Sequence, residues 1–226
     1  IIYDPACGSG GMFVQSMKFI ENHHGDKKEV SIYGQEYTAT TYKLAKMNLA
    51  IRGIAANLGA VPADTFNKDQ HKDLKADYIM ANPPFNQKAW RAENELVDDP
   101  RWSGYDVPQT GNANYAWILN MVSKLSQNGV AGFILANGAL SGGGEEYKIR
   151  KKLIENGLVE AIIILPQNMF YTTNISVTLW ILNNNKKERT VKLNDDIRNY
   201  RDRQHEVLFM DLREVGEPFE KKFIQF

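Results

Sequence analysis

The feature that most constrains this chain is a short apolar run near its start that breaks into a glycine-rich turn. Ile2 and Tyr3 are followed directly by Asp4-Pro5-Ala6-Cys7-Gly8-Ser9-Gly10-Gly11. Glycine adopts positive φ without strain and lets a ligand approach the backbone closely. The helix predicted after the turn would direct its unpaired N–H groups at the same spot. The run therefore predicts a strand, a turn and a helix, although a glycine cluster by itself is typical of any turn.

Helical and strand-like apolar segments alternate along the rest of the chain. Strands are predicted at residues 2–4, 31–36, 60–66, 76–81, 130–136, 159–165 and 176–182, with helical stripes between most of them. Pro62 places the third strand at a sheet edge, because proline cannot donate to a ladder. The last two strands are only about ten residues apart, which allows an antiparallel return but no helical crossover. The pattern predicts an α/β fold with a doubly wound, mostly parallel seven-stranded sheet and a C-terminal antiparallel β-hairpin.

The length of 226 residues fits one compact domain. We expect residues 1–226 to form a single catalytic domain with its core in about residues 1–185. Residues 186–226 are expected to form a charged excursion with a possible edge strand at 206–212. Nothing precedes the first central strand, so we also expect the chain to be part of a longer protein.

The composition excludes several classes of protein. Lysine and arginine together number 27 and so do aspartate and glutamate, so the chain lacks the basic excess of a self-sufficient DNA-binding protein. Cys7 is the single cysteine, which excludes an internal disulfide framework and gives no zinc pattern. With no charged leader and no apolar run long enough to cross a bilayer, a cytoplasmic protein without a metal is expected.

Polar residues follow the first four predicted strands at their carboxyl ends, where open α/β sheets bind ligands. They are Asp4, Glu36, Asp64 and Asn82. Glu36, at the end of the second strand, is placed to accept hydrogen bonds from a ribose, which indicates an adenosine derivative. The turn has no lysine and lacks the spacing of a phosphate loop. S-Adenosylmethionine, whose sulfonium cation favours nearby acids, therefore fits better than NAD.

Asn82-Pro83-Pro84-Phe85 is the second pattern that indicates chemistry. The prolines fix φ, lack N–H donors and exclude Asn82 from the α region, so the segment is stiff and presents only acceptors. The Asn82 side-chain oxygen and the Pro83 carbonyl could hold an exocyclic NH2 and direct its lone pair at a methyl group. Phe85 supplies a ring on which an extruded base could stack.

Together, the glycine turn and Asn82-Pro83-Pro84-Phe85 resemble the amino-methyltransferases of DNA. Longer runs at residues 99–102, 112–117, 132–138 and 165–171 are similar to the modification (methyltransferase) subunit of type I restriction–modification systems. The resemblance covers most of the chain to about Leu182. It implies N6-adenine methylation of double-stranded DNA, in a complex with a specificity subunit and a restriction subunit. It also implies an upstream helical region with a further cofactor contact, which we expect to be absent from this chain.

The resemblance also implies the roles of individual residues. Asp4, Gly8 and Gly10 would line the methionine end of S-adenosylmethionine, and Glu36 would hold its ribose. The full set of implied cofactor contacts is Asp4, Ala6, Gly8, Gly10, Glu36, Asp64, Phe66 and Asn82, with Asp64 and Phe66 at the adenine ring. Asn82, Pro83, Pro84 and Phe85 would hold a flipped target adenine.

Several alternatives stay open at this point. The methyl acceptor could be another planar NH2, on cytosine N4, on guanine in RNA or on a protein glutamine. The chain could also be a non-catalytic cofactor-binding module, although the complete Asn82-Pro83-Pro84-Phe85 argues against it. Phe170 and Tyr171 could line the base pocket or cap the core, and Cys7 is expected to be a small packing residue.

Overall fold

A computed structural model of the protein describes residues 1–170, 174–193, 196–219 and 223–225. Its main sheet contains β1 Ile2–Asp4, β2 Ile32–Gly34, β3 Ala76–Ala81, β4 Leu125–Ala136, β5 Val159–Ile164, β6 Val177–Asn183 and β9 Leu208–Asp211. The helices are α1 Gly11–Asn22, α2 Ala39–Ile51, α3 Asn114–Ser123 and α4 Gly144–Glu155. Two separate antiparallel pairs follow, β7 Arg189–Leu193 with β8 Asp196–Tyr200 and β10 Glu217–Phe219 with β11 Phe223–Gln225.

The sheet order is β2-β1-β3-β4-β6-β5-β9. β1 runs parallel to both β2 and β3, β3 runs parallel to β4, and β5 runs parallel to β9. β6 lies antiparallel between β4 and β5. The prediction of a mostly parallel seven-stranded sheet with a late antiparallel return is confirmed. The strand order reverses at β1, which makes the carboxyl ends of β1, β2 and β3 the expected ligand position.

The prediction of a strand at residues 60–66 is wrong. Only an isolated bridge between Tyr33 and Asn57 extends the sheet beyond β2 among the described residues. Side-chain amides replace the missing ladder, because Gln70 Oε1 accepts from the N–H of Ala60 at 2.8 Å and Gln35 Nε2 donates to Ala63 O at 3.1 Å. Residues 60–70 therefore form a loop whose polar backbone groups are held by side chains.

The seventh strand lies instead at the opposite edge, where β9 confirms the possible strand predicted at residues 206–212. The charged segment after residue 186 is not simply a solvated excursion, because β7 and β8 pair within it. Lys186 is buried, and its ammonium donates to the carbonyl of Val159 at 2.7 Å, which ties the segment to β5. The division into a core and an excursion remains a prediction.

Successive residues of β1 face opposite sides of the sheet, as the pleat requires. Ile2 packs among the apolar residues of α1 and α2, such as Phe13 and Leu49. Tyr3 packs with residues of α3, including Trp117 and Ile118. Helices thus cover β1 on both faces and fix the loops at its carboxyl end. Among the described residues, none of the helices combines the length and apolar character needed to span a bilayer.

Candidate active site

A cavity of about 440 Å³ opens at the carboxyl ends of β1, β2 and β3. Four of the residues singled out from the sequence line it, namely Ala6, Glu36, Asp64 and Pro84. This volume lies within the usual range for small-ligand sites, about 300–1,000 Å³. The structure therefore brings the glycine turn, both downstream acids and the Asn-Pro-Pro-Phe segment to one place.

The glycine turn uses the conformations for which glycine is required. Gly8 and Gly10 have φ of 54° and 77°, and Gly10 immediately precedes α1. A Cβ at Gly8 would meet no described atom within 4 Å, whereas one at Gly10 would meet the side chain of Leu49 at 3.4 Å. Gly8 therefore leaves space open beside the turn, and at Gly10 the positive φ, rather than the contact with Leu49, is what favours glycine.

Glu36 connects the glycine turn to the start of α2. Its Oε2 accepts from the N–H of Gly8 at 3.1 Å, and its Oε1 accepts from the N–H of Thr38 at 2.8 Å. A carboxylate oxygen has two lone pairs, so each can accept one further hydrogen bond. Because Glu36 is half-buried and lines the cavity, it can accept from a pair of vicinal hydroxyls.

Asp64 is held in a local turn that leaves part of its carboxylate available. Its Oδ1 accepts from the N–H groups of Phe66 at 2.7 Å and Asn67 at 3.0 Å. Within the described residues, its Oδ2 accepts no hydrogen bond from the protein. An amino group of a ligand could donate to this oxygen.

Phe66 does not line the cavity as the resemblance implied. Its side chain is buried, and its ring centroid lies 4.3 Å from that of Trp117 and 4.6 Å from that of Trp90. The two tryptophans line the cavity, while Phe66 packs behind them. The aromatic residues on the cavity wall are thus ones that the sequence reading missed: Trp90 and Trp117, which are almost fully buried, and Tyr37, which is exposed.

Arg101 is a further residue whose role the sequence reading missed. Its buried guanidinium donates to Thr65 O at 2.8 Å and Phe66 O at 2.6 Å, and it also pairs with Asp99 at 2.8 Å. Burial alone would raise the pKa of Asp99, but the hydrogen bonds from Arg101 outweigh it and hold that pKa below its ordinary value. Arg101 thereby fixes the loop that carries Asp64.

The Asn82-Pro83-Pro84-Phe85 segment begins where β3 ends. Asn82 and Pro84 are exposed, Pro83 is buried and Phe85 is half-buried. Pro84 lies on the wall of the same cavity as Ala6, so this part of the segment lies near the start of the glycine turn, whereas Asn82, Pro83 and Phe85 are not on the cavity wall. Phe170 is half-buried on the loop after β5, and Tyr171 lies outside the described residues.

Asp4 is buried beneath the turn rather than on the cavity wall. Its Oδ1 accepts from the N–H of Ala6 at 2.9 Å, and the residue is 2% exposed. Burial raises the pKa of Asp4 to about 7 despite this hydrogen bond, and the charge of Glu36 adds to the rise. Burial likewise raises the pKa of the Cys7 thiol, as expected of a packing residue.

The raised pKa of Asp4 predicts how stability depends on pH. Between its ordinary pKa of 3.8 and its folded pKa of about 7, the folded chain holds a proton that the unfolded chain has lost. The contribution of Asp4 to stability is complete below pH 4 and is lost as the pH rises to 7. Wild type should lose this contribution to its free energy of unfolding between pH 5 and pH 8, whereas Asp4→Asn, which cannot titrate, should not. In urea unfolding, the free energy of unfolding of Asp4→Asn relative to wild type should therefore rise by about 2–3 kcal/mol from pH 5 to pH 8. If the free energies of unfolding of variant and wild type differed by the same amount at both pH values, the raised pKa would not belong to Asp4.

The sheet order, with the glycine turn after β1 and the acid after β2, is a fold that occurs among S-adenosylmethionine-dependent methyltransferases. A putative class I S-adenosylmethionine-dependent methyltransferase from Listeria monocytogenes has this fold, with a TM-score of 0.69 and 19% identity over 96% of this chain and 59% of that chain. The sequence profile of the N-6 DNA Methylase family matches residues 1–225, and the chain belongs to this family.

Two relatives show how far the similarity extends. The type I restriction enzyme HindI methylase subunit of Haemophilus influenzae is 48% identical over 216 residues, which are 95% of this chain and 45% of that protein. The type I restriction-modification system methyltransferase subunit from Streptococcus thermophilus has a TM-score of 0.83 and 29% identity, over 100% of this chain and 45% of that chain. The chain thus spans about half the length of the relatives it matches.

Proposed function

We propose that the protein transfers a methyl group from S-adenosylmethionine to the N6 amine of adenine in DNA. One observation carries the proposal: Ala6, Glu36, Asp64 and Pro84 line the same cavity. This supports the proposal, because carboxylates that could bind an adenosine lie on the same cavity wall as a residue of the segment that could hold an amine. The family membership and the names of the relatives agree with this chemistry.

The donor would lie across the carboxyl ends of β1 and β2. Its ribose hydroxyls would donate to the Glu36 carboxylate, and its adenine amino group would donate to Asp64, on the side of the cavity that Trp90 and Trp117 line. The methionine end would lie along the turn from Asp4 to Gly10, in the space that the absence of a side chain at Gly8 leaves open. A positively charged donor would favour the ionised form of Asp4, so binding should release a proton near pH 7.

The acceptor amine would lie at Asn82. The side-chain oxygen of Asn82 and the carbonyl of Pro83 can both accept from an NH2 group, and Pro83 and Pro84 have no backbone N–H that would compete with it as a donor. Two such acceptors would orient the lone pair at the methyl group and stabilise the positive charge that develops on nitrogen. The target adenine would be flipped out of duplex DNA to reach this position, with the ring of Phe85 stacked on it.

The proposal includes partners that supply DNA binding. The chain has equal numbers of basic and acidic residues and so lacks the charge with which a protein neutralises many phosphates. The relatives are named as subunits of type I restriction enzymes. We therefore expect a specificity subunit to choose the DNA sequence, with a restriction subunit in the same complex.

The decisive experiment offers methyl-labelled S-adenosylmethionine to the full-length protein with its partner subunits. Duplex DNA from a host lacking the system should incorporate label, and the same DNA already methylated at adenine N6 should incorporate almost none. Nucleoside analysis should recover the label as N6-methyl-2′-deoxyadenosine. Equal incorporation into both DNAs, or label on cytosine, would contradict the assignment of the acceptor.

A further inference from the structure

Directly after Asn82-Pro83-Pro84-Phe85, paired amides join the chain to the start of α3. The N–H of Asn86 donates to Asn114 Oδ1 at 3.0 Å, and Asn114 Nδ2 donates back to Asn86 Oδ1 at 2.9 Å. Asn112 Nδ2 donates to the same Asn86 oxygen at 3.2 Å, and the N–H of Ala113 donates to Gln87 O at 2.9 Å. We call the three side chains Asn86, Asn112 and Asn114 the amide staple.

The staple holds a backbone conformation that a free loop would rarely adopt. Asn86 has φ of 52°, in the left-handed region that only asparagine, aspartate and glycine enter readily. Such a residue keeps this conformation when its surroundings fix it on more than one side. Asn114 is 1% exposed, so water does not replace its hydrogen bonds when they break.

The position of the staple explains why it is needed. Two of the four residues before it are prolines, which have no N–H through which the segment could be held. The segment begins at the end of β3, where Ala81 pairs with Phe133 of β4. Its other end is Asn86, so the sheet and the staple hold the segment between them.

We propose that Asn114 is a positioning residue for methyl transfer. This inference rests on the proposed function, because it concerns the placement of the acceptor oxygens of Asn82 and Pro83. By fixing Asn86, Asn114 sets where those oxygens lie relative to a methyl donor in the cavity. Loss of the staple should therefore lower kcat while the affinity for the donor, which depends on Glu36 and Asp64, stays nearly constant.

Two variants with equal changes in size and charge provide the test. Asn86→Asp keeps the oxygen that accepts both hydrogen bonds and tolerates positive φ. Asn114→Asp keeps the acceptor for the N–H of Asn86 but replaces the Nδ2 donor by an oxygen that repels Asn86 Oδ1. A misplacement of about 1 Å costs roughly 10²-fold in rate, and Asn114→Asp should lose about that much in kcat. Asn86→Asp should stay within a few-fold of wild type.

The measurements are single-turnover methyl transfer to saturating DNA and the Kd of S-adenosylhomocysteine by calorimetry. Both use the full-length protein with its partner subunits. Equal kcat values for Asn114→Asp and Asn86→Asp would overturn the inference. So would a loss of donor affinity that parallels the loss of kcat in Asn114→Asp, because it would indicate general damage to the fold.

A milder variant guards against misfolding of Asn114→Asp. Asn112→Asp replaces one of the two donors to Asn86 Oδ1 by an oxygen at a half-buried position, and it keeps the oxygen that accepts from the N–H of Asn114 at 2.9 Å. One lost hydrogen bond should lower kcat by about 2- to 10-fold with unchanged donor affinity, and an unchanged kcat would also overturn the inference. If wild type methylates an amine other than adenine N6, the proposed function fails, while the comparison of variants still tests the staple on that amine.

Discussion

Replacing Asn82 by alanine should lower the rate of methyl transfer by roughly 10²–10³-fold at saturating DNA and donor, the usual cost of losing one preorganised transition-state hydrogen-bonding group. The truncation removes the side-chain oxygen proposed to accept from the target amine and leaves the Pro83 carbonyl alone. Asn82 is exposed at the end of β3, so no buried partner is left unsatisfied by the change. The measurement is the single-turnover rate with labelled donor.

The affinity for the donor separates this mechanism from a loss of binding. Because Glu36 and Asp64 remain in place on the cavity wall, the Kd of S-adenosylhomocysteine should change less than about 3-fold, under 1 kcal/mol. Asn22→Ala, an equal truncation of an exposed asparagine at the far end of α1, should leave both quantities unchanged. Near wild-type transfer by Asn82→Ala would remove the proposed role of the segment.

The part of the site that the sequence predicted consists of residues at strand ends. Asp4, Glu36, Asp64 and Asn82 are predicted to lie together because the carboxyl ends of neighbouring parallel strands share one edge of the sheet. For Asp4, Glu36 and Asn82 this reasoning uses strands that exist, β1, β2 and β3. The strand predicted before Asp64 does not form. Asp64 still reaches the cavity, because residues 60–70 run alongside the end of β2.

The missed features depend on contacts between residues far apart in the sequence. No local pattern shows that Gln35 and Gln70 satisfy the backbone where a strand was predicted. Trp90 lies just before residues 93–111 and Arg101 lies within them, and this stretch has no helical or strand periodicity and so predicts only a long loop. Each is fixed by residues far along the chain, as when Trp90 packs on Phe66. Such contacts follow from the folded topology, so the sequence could predict where the site lies but not all of its lining.

Replacing Arg101 by methionine should cause the largest loss of stability of any change considered for this protein. The side chains of Arg101 and Asp99 are 8% and 13% exposed, so the variant leaves a largely buried carboxylate without its cation, with only the backbone N–H of residue 101 still donating to it. Breaking a buried pair in this way costs about 3–5 kcal/mol, which urea unfolding would measure. The carbonyls of Thr65 and Phe66 also lose their donors, so the loop that carries Asp64 should loosen.

The double variant Arg101→Met with Asp99→Leu distinguishes the unpaired charge from the loosened loop. Removing both charges should restore much of the stability, because an apolar pair of similar shape leaves no charge buried. Donor affinity should stay low in both variants, since neither holds the Thr65 and Phe66 carbonyls. Arg201→Met, which breaks an exposed pair with Glu206, should change neither quantity measurably. If the double variant recovered full donor affinity, Arg101 would be a partner of Asp99 alone and would not fix the loop at the cavity.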